Sequence, residues 1–112
     1  METTKLSYLS DNQIRMTPRG MDGALVAPST QWMKVYLQSG GKTFTAVNDP
    51  TGEEGKYCHV EGDKLVIDVP GKRLGIGILE YMIETRETSR YFADGYKNTF
   101  PLNWKQTDIE IV

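Results

Sequence analysis

No stretch of this 112-residue chain repeats apolar residues at the 3.6-residue interval of a helix. Where apolar residues recur, they alternate. "QWMKVYLQ" (31–38) puts Met33, Val35 and Leu37 on one side and Trp32, Lys34 and Tyr36 on the other. "KTFTAV" (42–47) is made of strand-favouring types and returns across "SGG", which predicts a hairpin. "KYCHV" and "KLVIDV" predict a second hairpin across "EGD" (61–63), with Leu65, Ile67 and Val69 inward and Lys64, Val66 and Asp68 on a mixed face. "QIRM" (13–16) is an earlier strand, and "TDIEIV" closes the chain with Ile109 and Ile111 in, Asp108 and Glu110 out. Short strands between Gly- and Pro-rich turns predict an all-β, antiparallel β-sandwich. The length suits one domain, 1–112, whose residues 1–12 read as a polar arm or a short edge strand.

Two segments fit this pattern less simply. Residues 17–30 hold Pro18, Gly20, Gly23 and Pro28, which break both helix and strand, so an ordered loop with "ALVA" packed inward is expected. In the strand expected over 74–85, Leu74, Ile76 and Ile78 share one parity while Leu79, Tyr81 and Ile83 share the other. A strand cannot change its buried face by one residue without a defect. Either Gly75 and Gly77 mark a bulge or bend, or both faces are covered, one of them by another subunit.

Charge and composition narrow the function. There are six basic and six acidic residues through residue 56, then seven and nine, for a net charge of −2. No clustered positive field exists for a phosphate backbone, so nucleic acid is not an expected partner. The densest basic spot, Lys72-Arg73, reads as a hairpin corner. No apolar run approaches the about 20 residues needed to span a bilayer, and "METTKLSYLSDNQIR" has no signal-peptide core, so neither a membrane nor secretion is expected.

The chemically capable residues are scattered. Cys58 and His59 are neighbours in a strand and so diverge, Cys58 inward and His59 outward, which suits neither a thiol–imidazole pair nor zinc. Asp49, Glu53 and Glu54 in "NDPTGEEG" lack calcium-loop spacing and read as a solvated tip. Glu80, Glu84 and Glu87 would need a cleft and a raised pKa to serve as paired acids. "RLGIGILE" lacks the loop-to-helix junction of a phosphate site. No catalytic residue, metal or cofactor is therefore expected. A small enzyme with carboxylate chemistry is the minority alternative.

Aromatic residues remain. Trp32, Tyr36, Tyr91, Tyr96 and Trp104 suit either a protein interface or a sugar-stacking platform. The C-terminal part, from "KLVIDVPGKRLGIGILE" to "TDIEIV", carries Leu74, Gly77 and Leu79, then Phe92, Asp94 and Gly95, then Thr107, Ile109 and Ile111. In that order it resembles the immunoglobulin-like domain of phage and prophage structural proteins, such as the N-terminal modules of upper baseplate and fibre proteins of tailed phages from Bacteroides-type hosts. The resemblance implies an immunoglobulin-like layout and a non-enzymatic virion part, assembled in a bacterial host cytoplasm, which docks other virion proteins and forms homo-oligomers. Tyr81, Ile83, Tyr91, Phe92, Tyr96 and Trp104 are the expected interface. The alternative is a carbohydrate-binding sandwich using Trp32, Tyr36 or Trp104.

Overall fold

The structure is a computed structural model and describes residues 3–19 and 23–112. Residues 1–2 of the N-terminal segment and Gly20 of the 17–30 loop lie outside the described residues. Among those described there are nine strands and no helix: β1 (Thr4–Leu6), β2 (Asn12–Met16), β3 (Trp32–Ser39), β4 (Lys42–Asn48), β5 (Cys58–Glu61), β6 (Lys64–Val69), β7 (Gly77–Thr88), β8 (Tyr96–Thr99) and β9 (Lys105–Ile111). They form two sheets. The larger has the order β1-β9-β7-β3-β4, with β8 also paired to β7, and the smaller has the order β2-β6-β5. All pairs are antiparallel except β1 with β9.

The alternation explains the packing. Met33, Val35 and Leu37 of β3 and Phe44 and Ala46 of β4 turn inward, joined by Leu79 of β7 and Ile111 of β9. Ile14, Leu65, Ile67 and Val69 of the smaller sheet meet them. Each such side chain contributes about 1.5–3 kcal/mol on leaving water. Val66 points to the other face of β6 and is nonetheless buried; its cross-strand neighbours Arg15 and His59 flank it with their longer side chains.

Of the two readings of residues 1–12, Thr4–Leu6 takes the edge strand. It lies parallel to β9, and Tyr8 N–H donates to the Val112 carbonyl at 2.8 Å. In the 17–30 segment, Pro18 and Pro28 are buried, but of "ALVA" only Val26 packs on the core, its N–H donating to the Pro18 carbonyl at 3.0 Å, while Ala24, Leu25 and Ala27 are exposed.

The segment 70–76 is not a hairpin corner. It carries the chain from the smaller sheet to the larger one, since β6 and β7 belong to different sheets. β7 begins only at Gly77, and the face change is absorbed locally. Leu74 enters the core before the strand starts, Ile76 and Ile78 are exposed, and the β7–β9 register slips between Ile78 and Glu80. No second subunit is needed to explain the change of face. The crossing is close: Gly75 N–H donates to the Ser39 carbonyl at 3.0 Å, and Ser39 Oγ donates to the Gly75 carbonyl at 2.7 Å.

A Cβ on Gly75 would sit 2.5 Å from the Gly40 carbonyl oxygen and 2.6 Å from that of Ser39. Gly75→Ala is therefore expected to destabilise the fold by about 1–3 kcal/mol, as overpacking against unyielding backbone does. Gly41→Ala meets no neighbour and pays only for its φ of +80°, about 1–2 kcal/mol. Urea unfolding of both variants checks the order; a larger loss at Gly41 would contradict it.

Candidate functional site

β7 is twelve residues long and outruns its neighbours. β3 pairs with its residues 80–86, and β8 pairs with 85–88, so the stretch 89–100 is a hairpin excursion rather than a plain loop. Its tip is built from local bonds. Ser89 N–H donates to the Gly95 carbonyl at 2.9 Å and Gly95 N–H to the Phe92 carbonyl at 3.0 Å. Asp94 Oδ1 accepts from Tyr96 N–H at 3.0 Å, while Gly95 adopts φ +82°, which glycine allows without strain. Asp94-Gly95 thus turns the chain back.

Parity places Tyr96, Asn98 and Phe100 on the outer face of the larger sheet, beside Trp32 and Tyr36 of β3 and Arg86 of β7. The Arg86 guanidinium lies over both Trp32, at 4.0 Å from the ring centroid, and Tyr96, at 5.1 Å. Its Nε donates to Asn98 Oδ1 at 3.3 Å, and Glu54 approaches it at 4.0 Å while accepting from Trp32 Nε1 at 3.3 Å. Tyr36 packs on Phe100 with centroids 5.8 Å apart and donates its hydroxyl to Glu84 at 2.8 Å. Burial, then the Glu84 hydrogen bond and charge, push the Tyr36 hydroxyl up to about 12. Beyond this stack, Tyr91 (79% exposed), Phe92 (51%), Phe100 (58%) and Leu102 (78%) project into solvent.

The expected interface residues do not form one surface. Tyr91, Phe92 and Tyr96 lie exposed on the excursion. Tyr81 and Ile83 turn inward, half-buried against the core, where they line a gap beside Leu102. That placement sets them apart from the exposed Tyr91, Phe92 and Tyr96. Trp104 is half-buried in the lead to β9 and joins no ring stack among the described residues. Nothing in the sequence marks Leu102 and Arg86 as surface residues. The register of β3, β7 and β8 brings Arg86 there. Arg86 and Lys34 lie over the rings of Trp32 and Tyr36, which leaves less ring face for a sugar.

Other polar groups are occupied. Asp49 binds its own loop, accepting from Thr51 N–H at 2.9 Å, Thr51 Oγ1 at 2.8 Å and Glu54 N–H at 2.8 Å; these bonds, Glu54's first, hold its carboxyl below the ordinary value. Glu80 accepts from Gln38 at 2.9 Å. Among the described residues no group of three or more His, Cys, Asp or Glu could hold a metal ion, and no helix is long and apolar enough to cross a membrane. Cys58 turns inward with Sγ 3.0 Å from the Val47 carbonyl, and burial followed by the Asp68 charge pushes its thiol up to about 11. His59 turns outward between Glu61, 2.7 Å from Nε2, and Asp68, 2.8 Å from Nδ1. Comparison of the chain with protein-family models, with curated proteins and with solved structures finds no match.

Two expectations follow. Arg86→Leu removes two cation–π contacts and should cost about 1–2 kcal/mol, whereas Tyr91→Ala should stay within about 0.5 kcal/mol of wild type in denaturant unfolding. Equal effects would contradict the stacked arrangement. The second concerns pH. The bonds to Glu61, then Asp68, raise His59 above its ordinary 6.5, and His59 in turn lowers Glu61 below 4.5. The His59 contribution is complete below its unfolded pKa and fades as pH rises through the raised folded value. The Glu61 contribution is complete above its unfolded pKa and fades as pH falls through the depressed folded one. The stability difference between wild type and His59→Gln should therefore be greatest between about pH 4.5 and 6.5. An NMR midpoint for the His59 ring at or below 6.5 would refute it.

Proposed function

We propose that this chain is an immunoglobulin-like, non-enzymatic docking module of a phage or prophage particle, of the baseplate or fibre type. The strand order supports the immunoglobulin-like part. Such sandwiches place B, E and D in one sheet and C, F and G in the other, with C′ beside C in the variable type. Here β2, β6 and β5 take the first set of places and β9, β7, β3 and β4 the second. In that layout the loops before β3 and after β7 share one end, the end that carries binding loops in variable domains.

The observation that carries the docking part is the exposure of Tyr91 and Phe92 at the tip of the excursion, at that end. Large exposed apolar side chains side by side at a loop tip mark interaction surfaces. Tyr and Phe also supply contact area at low rotamer cost. The motifs around Leu74–Leu79 and Phe92–Gly95 support the assignment to a virion protein, in which repeated copies meet by symmetric contacts.

Size-exclusion chromatography with light scattering over a concentration series tests the reading. The expected result is a mass above the monomer that falls back to the monomer in the double variant Tyr91→Asp, Phe92→Asp, with an unchanged circular dichroism spectrum. A wild-type chain that stays monomeric at every concentration would defeat self-assembly through this end.

A further inference from the structure

The edge of β7 that faces away from β3 is shared by two strands that do not meet. β9 takes residues 77–81 and β8 takes residues 85–88, so Met82, Ile83 and Glu84 face no strand there. The register shows which backbone groups point into this gap. The β3–β4 hairpin closes on the two-residue turn Gly40-Gly41, with Ser39 and Lys42 as the flanking pair. In such a hairpin the flanking pair is hydrogen-bonded, so the odd-numbered residues of β3 bond β4 and the even-numbered ones bond β7. Their β7 partners are Glu80, Met82, Glu84 and Arg86. The odd-numbered residues of β7 therefore turn N–H and C=O to the other edge. Independent bonds agree: the Leu79 carbonyl accepts from Thr107 Oγ1 at 2.8 Å, and Ser89 N–H donates toward β8 to the Gly95 carbonyl. Tyr81 faces Lys105 and Thr85 faces Thr99. Ile83 faces neither strand, and its N–H and C=O have no hydrogen-bond partner among the described residues.

A cavity of about 230 Å³ opens at this point, lined by Tyr81, Ile83, Leu102, Asn103, Lys105 and Arg19 among others. Tyr81, Ile83 and Leu102 give it an apolar wall. Arg19 and Lys105 are cations, and no carboxylate is among its described lining residues. Arg19 spends one nitrogen on the Gly23 carbonyl at 2.9 Å; the Lys105 ammonium has no ion pair or hydrogen bond among the described residues.

We propose that this gap binds the C-terminal residue of an extended peptide. An N–H and a C=O displayed by one strand residue form half of an antiparallel bridge, which a single extended residue completes. The incoming residue donates its N–H to the Ile83 carbonyl. One oxygen of its carboxylate accepts from Ile83 N–H, and the other meets Lys105 and Arg19, as charge-assisted bonds favour. An apolar side chain fills the recess beside Tyr81 and Leu102. The volume falls below the roughly 300–1,000 Å³ of drug-sized pockets, which limits the occupant to about one residue rather than a long segment. The inference does not rest on the virion reading, and it lies apart from the exposed tip of the excursion.

Amide chemical-shift titration of the full ¹⁵N-labelled chain tests it, with N-acetyl-Ala-Ala-Leu as the acid, the same peptide as the C-terminal amide, and N-acetyl-leucine. The Ile83 amide should shift downfield and saturate with the acid. The amide form should bind at least about tenfold more weakly, and so should the acid to Lys105→Glu. Leu102→Trp, which fills the recess at an exposed position, should abolish binding with the rest of the spectrum unchanged. An Ile83 amide that does not move at about 10 mM acid peptide overturns the site. Equal binding of acid and amide overturns the carboxylate assignment, and a tripeptide that binds more than about tenfold tighter than N-acetyl-leucine, which carries every group the site contacts, overturns the one-residue occupant. Each readout is the same for a monomer or an oligomer, so failure here leaves the assembly reading standing, and the converse holds.

Discussion

The rest of the fold depends on a backbone-to-backbone contact. Ser39-Gly40, at the end of β3, touches Gly75-Ile76, in the segment that crosses between sheets. Side chains at Gly40 or Gly75 would collide with opposing main chain, so only glycine lets the strands approach to hydrogen-bonding distance. The contact does three things. It brings Leu74 into the core from outside any strand, it starts β7 in line with β3, and it fixes the parity that sends Leu79, Tyr81 and Ile83 inward. That parity then decides which side chains reach the outer face and which backbone groups reach the gap.

The parts of this fold that bury one face and expose the other were legible from alternation. β3, β4, β6 and β9 follow their sequence patterns, and the divergence of Cys58 and His59 follows from strand geometry alone. The rest was hidden for specific reasons. β1 is three residues with one apolar side chain, and β8 is wholly on a solvated hairpin; neither buries enough to leave a period of two. In β7 two alternating sets competed, and the winner depended on a glycine contact 35 positions away in sequence. The exposed aromatics of 89–100 were visible as a cluster. The stack of Arg86 with Trp32 and Tyr96 needed the registers of β3, β7 and β8 together.

The outer face of the larger sheet combines rigidity with exposure. Trp32, Arg86, Tyr96 and Glu54 hold one another, and Tyr36 is held by Glu84 and Phe100. Side chains ordered in advance lose little freedom when a partner covers them, which is how aromatic surfaces gain affinity without large area. The projecting Tyr91 and Phe92 stand on this braced base instead of on a free loop.

The split edge of β7 also sets how the excursion can vary. It is held by four register pairs, Thr85–Thr99 to Thr88–Tyr96, none of which involves a residue of the buried core. Residues 100–104 form a spacer between this hairpin and β9. Adding or removing residues in pairs at the tip would lengthen or shorten the hairpin while β9, and with it the sandwich, keeps its register. The chain thus carries a ruler of adjustable length on a fixed base, and reach can diverge among variants of this architecture without renegotiating the interior.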